Sequence, residues 1–159
     1  MSYALRYLGV LLLFGIGAVH LYEYFADYYR VIPVIGVLFV LNFAGAVVLA
    51  LTLASPLRSL PGLSAVPVFG RAPHALVALG AIVFSLGTII GLLISEQGAL
   101  FGFHEYGYRT TVMLALGLES GVIVVLSAFL ALEVRRLRLP AGAGGGRASA
   151  RGHNVPPRR

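Results

Sequence analysis

The sequence predicts an all-α fold, a four-transmembrane-helix bundle built from two helical hairpins. Four apolar runs recur along the chain, each near the ~20 residues that a helix needs to cross about 30 Å of hydrocarbon. Hydrophobic residues make up 58% of the 159 and charged ones only 11%, where a soluble domain carries roughly a quarter of charged residues. The tyrosines and most of the arginines gather at or beyond the ends of the runs, as interface anchors do.

The first span covers about 4–25. Its Arg6 followed by "YLGVLLLFGIGAV" has the outline of a secretory signal, but "AVH" puts His20 where a small residue is required for cleavage, so it reads as an uncleaved span. The second covers about 33–54 and opens on Pro33, which suits the first turn of a helix. The third, about 74–95, starts at His74 behind Pro73, and the fourth covers about 110–132. Between the hairpins, "SPLRSLPGLSAVPVFGRAP" carries four prolines and two glycines and reads as an irregular connector. Residues 1–134 form the membrane domain. The remainder, 135–159, ends in "LPAGAGGGRASARGHNVPPRR", whose lack of apolar bulk predicts a disordered tail.

All twelve cationic side chains are arginine. Arg6, Arg58, Arg71 and the seven from Arg135 onward fall on one side of the four spans, Arg30 and Arg109 on the other. The positive-inside rule then places both termini in the cytoplasm. Arg135, Arg136 and Arg138 are expected to meet anionic lipid at the inner leaflet. Nucleic-acid binding finds little support, because no stacking aromatic interleaves the tail arginines. Tyr3 and Tyr7 mark the inner interface; Tyr22, Tyr24, Tyr28, Tyr29, Tyr106 and Tyr108 form a heavier belt outside.

The first span ends in "VHLYEYFADYYR". His20, Glu23, Asp27 and Arg30 stand 3, 4 and 3 apart, which puts all four within an arc of about 80° if the helix continues. In one reading the two acids pair with Arg30 at the interface. His20 lies deeper and needs a partner within the bundle. The second outer segment, "SEQGALFGFHEYGYR", supplies Glu96, His104, Glu105 and Arg109. It partly echoes the first, as a parallel two-plus-two repeat would. Were the two outer ends to meet, His20, Glu23, His104 and Glu105 would offer two imidazoles and two carboxylates, a set able to hold zinc, iron or copper. Two histidines at one level are also a pattern for haem ligation. With no cysteine in the chain, thiolate sites and disulfides are excluded.

Glu119 falls near the centre of the fourth span, where an acid costs a few kcal/mol unless protonated or paired. Asn42 and Ser85 fall near the centres of the second and third spans. The three are expected to meet at one depth, either as a hydrogen-bonded knot that fixes packing or around a proton-carrying or ligand-binding acid. "GTIIG" (Gly87, Gly91) and "GLESG" (Gly117, Gly121) repeat small residues four apart and predict close contact between spans three and four, or a dimer seam. His74 and His153 read as surface residues rather than ligands. No phosphate loop, nucleophile elbow or paired metal motif is present.

His20, Ile32, Pro33, Ile35, Gly36, Leu38, Phe39, Leu41 and Asn42 lie in "VHLYEYFADYYRVIPVIGVLFVLNFAGAVVLAL". This stretch resembles the first hairpin of small four-span integral membrane proteins of high-GC bacteria, in which a histidine ends span one and "IPxIGxLFxLN" opens span two. The resemblance covers about a fifth of the chain and implies fold and membrane location, with no activity attached. In size and span count the chain is also similar to the DoxX-like proteins.

Three readings follow. The first is a non-catalytic accessory or interaction subunit, in contact with the bilayer and with a membrane-protein partner or a second copy. The second is a metal-, haem- or quinone-binding protein with an outer-face His/Glu site, and the third a proton-linked transport component centred on Glu119.

Overall fold

A computed structural model of the chain describes residues 1–27, 29–57, 72–98, 100–104, 107 and 109–138. Four helices dominate it: α1 (Ser2–Ala26), α2 (Pro33–Ala54), α3 (Pro73–Gln97) and α4 (Thr110–Arg138), with a single 3₁₀ turn at Tyr29–Val31. Among the described residues there is no strand beyond an isolated bridge between Leu100 and Phe103. All four helices are long and apolar enough to cross a membrane. Even the shortest, α2 with 22 residues, reaches about 33 Å at 1.5 Å per residue. The chain is thus a small multi-pass membrane protein.

Local chemistry sets the ends. Pro33 and Pro73 sit in the first turns of α2 and α3, where the missing N–H leaves no helical acceptor unserved. α2 stops at Ser55, whose N–H bonds back to Leu51 O and Thr52 O while its hydroxyl donates to Leu51 O at 2.7 Å. Pro56 follows, and the residue before a proline is pushed out of the helical region. α3 ends when Gly98 turns extended, its N–H still bound to Ile94 O. α4 outruns the expected span by nearly two turns, carrying Arg135 and Arg136 on the helix and reaching Arg138; the rest of the expected tail, 139–159 with His153, lies outside the described residues. So do the connector 58–71 with Arg58 and Arg71, and Tyr28, Glu105, Tyr106 and Tyr108.

α1 packs against both α2 and α4, α3 lies on α4, and α2 and α3 make the sparsest of these neighbour contacts. We call the end bearing Arg6, Ser55 and His74 the base, and the end bearing Asp27, Tyr29 and Arg109 the cap. The base half is filled by one cluster: Val10, Leu13 and Ile16 of α1, Ala46, Ala50 and Leu53 of α2, Ala78 and Ala81 of α3, and Val122, Leu126 and Phe129 of α4. Without water to expel from between helices in lipid, such contact rests on close packing, and small residues permit it.

The seams differ from those expected. At Gly9 a Cβ would collide with Leu126, and at Gly15 and Gly121 it would press on Leu118 and Leu12 at 3.1 and 3.3 Å, so glycines close α1 onto α4. Gly45 leaves room for Phe84, 2.9 Å from where its Cβ would be, and brings α2 to α3 at mid-height. Gly87, Gly91 and Gly117, by contrast, have nothing within 4 Å of a Cβ position. The pairing of Gly87 with Gly91 and of Gly117 with Gly121 as one contact between α3 and α4 is therefore not what the structure shows: Gly121 meets α1, and the α3 glycines border open space.

Candidate functional site

Each helix buries one stripe, and each stripe changes character on the way from base to cap. On α1 the buried sequence Val10, Leu13, Ile16 continues as His20 and Glu23, spaced 3, 3, 4 and 3. On α4 the order from the cap is Val112, Ala115, Glu119, Val122, Leu126, Phe129. α2 turns from Ala50 and Ala46 to Asn42, and α3 from Ala81 to Ser85, Thr88 and Ser95. Residues three and four apart share a helix face, so the polar side chains are carried inward by the same periodicity that builds the core.

Where the stripes turn polar the packing opens into a cavity of about 410 Å³. His20, Glu23, Asn42, Thr88, Ser95 and Glu119 supply its polar wall. Ile35, Leu38, Phe39, Phe84, Leu92 and the α3 glycines supply much of the apolar one. His20, Glu23 and Glu119 are almost wholly withdrawn from the surface, at 6%, 4% and 3% exposure. The gap exists because α2 and α3 part above Gly45 and Phe84, with Gly87 and Gly91 offering no side chain to fill it. Gly87 and Val83 line the cavity and are also exposed on the outer surface of the bundle. The cavity therefore opens sideways, between helices that face lipid.

His20 is fixed by a hydrogen bond from Nδ1 to the Ile16 carbonyl, 2.9 Å. A carbonyl only accepts, so Nδ1 carries the proton and Nε2 of the neutral ring is an acceptor. The Thr88 hydroxyl donates to the Ser85 carbonyl at 2.9 Å and neighbours the Glu119 carboxyl. With a single proton, it can donate to one of these oxygens at a time. Glu23 lies on the wall of the same cavity as Glu119.

Toward the cap the cavity is closed by rings. Tyr29 stacks on Phe39 with centroids 4.5 Å apart, Phe39 reaches His20 at 5.4 Å, and Phe103 meets Tyr29 edge-on at 5.5 Å. Tyr29 is only 5% exposed, so it belongs to this lid and not to the interfacial belt; Tyr3, Tyr7 and Tyr22 do lie exposed at the ends of α1. Gly36 lets the 3₁₀ turn press onto α2, since a Cβ there would stand 3.0 Å from Tyr29 O and 3.2 Å from Arg30 Cα. Leu100 and Phe103 exchange backbone hydrogen bonds of 2.8 and 2.9 Å around a tight turn with Phe101 at φ 52° and Gly102 at φ 82°. Positive φ at both central residues marks a type I′ turn, and it folds Leu100 and Phe103 onto the cavity.

The polar stripe of the first hairpin is thus divided. α1 ends at Ala26, so His20 and Glu23 stay inside while Asp27 pairs with Arg109 at 3.2 Å, and Arg30 rides exposed on the 3₁₀ turn. His104 is half-buried in the loop before α4 and is not part of the cavity wall; Glu96 is half-buried on α3 and likewise outside it. Among the described residues no group of three or more His, Asp or Glu converges as a metal would require. Of the expected central trio, Asn42 and Glu119 share the cavity. Ser85 is fully buried beneath it, its Oγ without a hydrogen-bond partner among the described residues.

A second polar cluster ties the base. His74 Nε2 lies 2.9 Å from both Arg6 Nη1 and the Ser55 carbonyl. One nitrogen cannot accept from a guanidinium and donate to a carbonyl at once, so the two contacts alternate with the tautomer. His74 therefore joins three helix ends, where the sequence reads it as interfacial.

Thr88, Ser95, Tyr29 and Phe39 are site residues that sequence reasoning misses. The signal for the first two was present as the 3 and 4 spacing from Ala78 and Ala81 through Ser85; for the rings there was none beyond composition. Comparison of the chain with protein-family models, with curated proteins and with solved structures gives no match.

Proposed function

We propose that the protein binds a small amphipathic molecule taken from the bilayer, with its polar group among Glu23, Asn42, Thr88 and Glu119 and its apolar part toward the opening between α2 and α3. The observation that carries this reading is the sideways-open cavity of about 410 Å³ with polar groups gathered at its inner wall. Its volume lies within the range of ligand pockets, and an apolar lining with a few convergent polar groups is their usual character. A purely structural accessory subunit would be expected to fill this space with side chains, since a void forfeits packing contacts. The reading favours a ligand-binding role over one confined to assembly. It also fits an inner-membrane protein with both termini cytoplasmic, supported by Arg6, Arg135 and Arg136 at the base against Arg30 and Arg109 at the cap, and by the resemblance of the first hairpin to high-GC bacterial proteins.

The chain has no tryptophan, so Phe103→Trp creates a single reporter on the cavity wall. In nanodiscs, a brominated long-chain alcohol should quench it saturably, and Gly91→Leu, which fills the cavity, should leave only weak quenching that rises linearly with concentration. Identical linear quenching in both proteins would overturn the reading.

A further inference from the structure

We propose that the molecule this cavity selects is a lipophilic organic cation, an alkyl- or arylammonium or its phosphonium analogue. The inference rests on the ligand-binding reading and adds the charge and class of the ligand.

The polar wall is one-sided. Glu23 and Glu119 contribute carboxyl groups, His20 presents an acceptor nitrogen because its Nδ1 is engaged by Ile16 O, and among the described residues no arginine lines the cavity. The titratable and charged groups facing this space come from α1 (His20, Glu23), from the 3₁₀ turn (Tyr29) and from α4 (Glu119); α2 and α3 add only Asn42, Thr88 and Ser95. The arginine of the cap, Arg109, is turned to Asp27 and to the Tyr29 hydroxyl. A carboxylate on a ligand would meet two carboxyl groups and no guanidinium in a medium of low dielectric, where like charges repel strongly. A cation meets the reverse.

The aromatic residues point the same way. Tyr29, Phe39, Phe84 and Phe103 all border the cavity, and ring faces attract desolvated organic cations, as in the aromatic cages that take quaternary ammonium groups. A small hydrated metal ion would gain less from this wall, since it is held by several converging ligands, carboxylates above all, and among the described residues no three His, Asp or Glu side chains converge. An organic cation needs no fixed coordination, and its apolar substituents match the remainder of the wall. The route suits it as well: a lipophilic cation concentrates in the membrane interface, and the opening at Val83 and Gly87 faces lipid.

Tetraphenylphosphonium and tetraphenylborate have nearly the same shape and opposite charge, which makes them the discriminating pair. The Phe103→Trp protein in nanodiscs of zwitterionic lipid, loaded with the brominated alcohol, would be titrated with each. Tetraphenylphosphonium should displace the alcohol saturably with about one bound per chain, and tetraphenylborate should not. Glu119→Gln should weaken phosphonium binding by about tenfold or more, the loss of a charge-assisted contact, while Glu119→Asp keeps it within about threefold. Unchanged alcohol binding in Glu119→Gln would show the cavity intact; a loss there too moves the comparison to Glu23→Gln. Equal displacement by both ions, or phosphonium binding indifferent to both glutamine variants, would overturn the cation assignment while leaving ligand binding in place. Absence of saturable binding by the alcohol itself would overturn the ligand-binding reading and this inference with it.

Discussion

Asp27, the residue that follows α1, and Arg109, the residue that precedes α4, are held 3.2 Å apart across the cap. The same guanidinium donates to the Tyr29 hydroxyl and lies 5.7 Å from the centre of its ring. One arginine thereby fastens the two loops that roof the cavity, and it holds the aromatic lid through its hydroxyl.

Loss of this arginine should be felt more than loss of its acid. An ion pair with both side chains partly exposed is worth at most about 1 kcal/mol, so Asp27→Asn should lower the unfolding midpoint in detergent only slightly. Arg109→Ala also removes the hydrogen bond to a buried tyrosine, a further cost of about 1 kcal/mol or more. The comparison of the two midpoints, with Tyr29→Phe as the intermediate case, checks the order.

The glycines should divide into two classes. Gly9→Val must displace Leu126 at the α1–α4 seam, and overpacking of this kind costs about 1–3 kcal/mol. Gly87→Ala and Gly117→Ala meet nothing within 4 Å and should be neutral or slightly stabilising, since alanine favours the helix over glycine by about 1 kcal/mol. Thermal unfolding of the three variants in one detergent tests the division.

His74 should be replaceable by a residue that does both of its tasks. Glutamine offers an amide N–H for the Ser55 carbonyl and a carbonyl for Arg6 at the same time, which the single Nε2 cannot. His74→Gln should match or exceed the stability of the native chain, and His74→Ala should fall about 1–2 kcal/mol below it. A glutamine variant as weak as the alanine one would mean that the ring's packing, not its polar contacts, secures the base.

Orientation is open to direct measurement because the chain has no native cysteine. Cysteines placed singly at Tyr3 and at Phe101, both exposed, lie at opposite ends of the bundle. With the termini cytoplasmic, an impermeant maleimide added to intact cells should label Phe101→Cys and should reach Tyr3→Cys only after lysis. The reverse pattern would invert the assignment drawn from the arginines.

The fold was legible in the sequence because membrane helices announce themselves by length and apolarity, and α2 matches its expected limits at Pro33 and Ala54. The partial burial of the site was legible too: His20 and Glu119 stand out as costly in hydrocarbon, and both line the cavity. Their partners were not, because which residue faces which across a bundle depends on the rotation of each helix about its axis. That rotation decided that Glu23 joins Glu119 in one cavity, while Asp27, one turn further along the same stripe, leaves the helix and pairs with Arg109. The small-residue motif on α3 was visible, and α3 does lie on α4, but their contact does not run through Gly87 and Gly91, since a glycine permits contact or emptiness equally, and only the neighbouring helix determines which. Gly36 shows the opposite case: the "IPxIGxLF" pattern contained a glycine whose necessity became clear from the Tyr29 carbonyl lying over it.

The level of Gly45 and Phe84 divides the bundle into two parts of unequal rigidity. Beneath it, side chains interlock in one core cluster; above it, α2 and α3 flank a space and are tied across the roof by the Tyr29–Phe103 contact and the Asp27–Arg109 pair. Such a division predicts local openings confined to one half of the molecule, with amides of the cap halves of α2 and α3 exchanging with solvent deuterium sooner than those of the base. The upper ends of these two helices would then work as the jaws of a forceps whose pivot is the Gly45–Phe84 crossing and whose clasp is that roof.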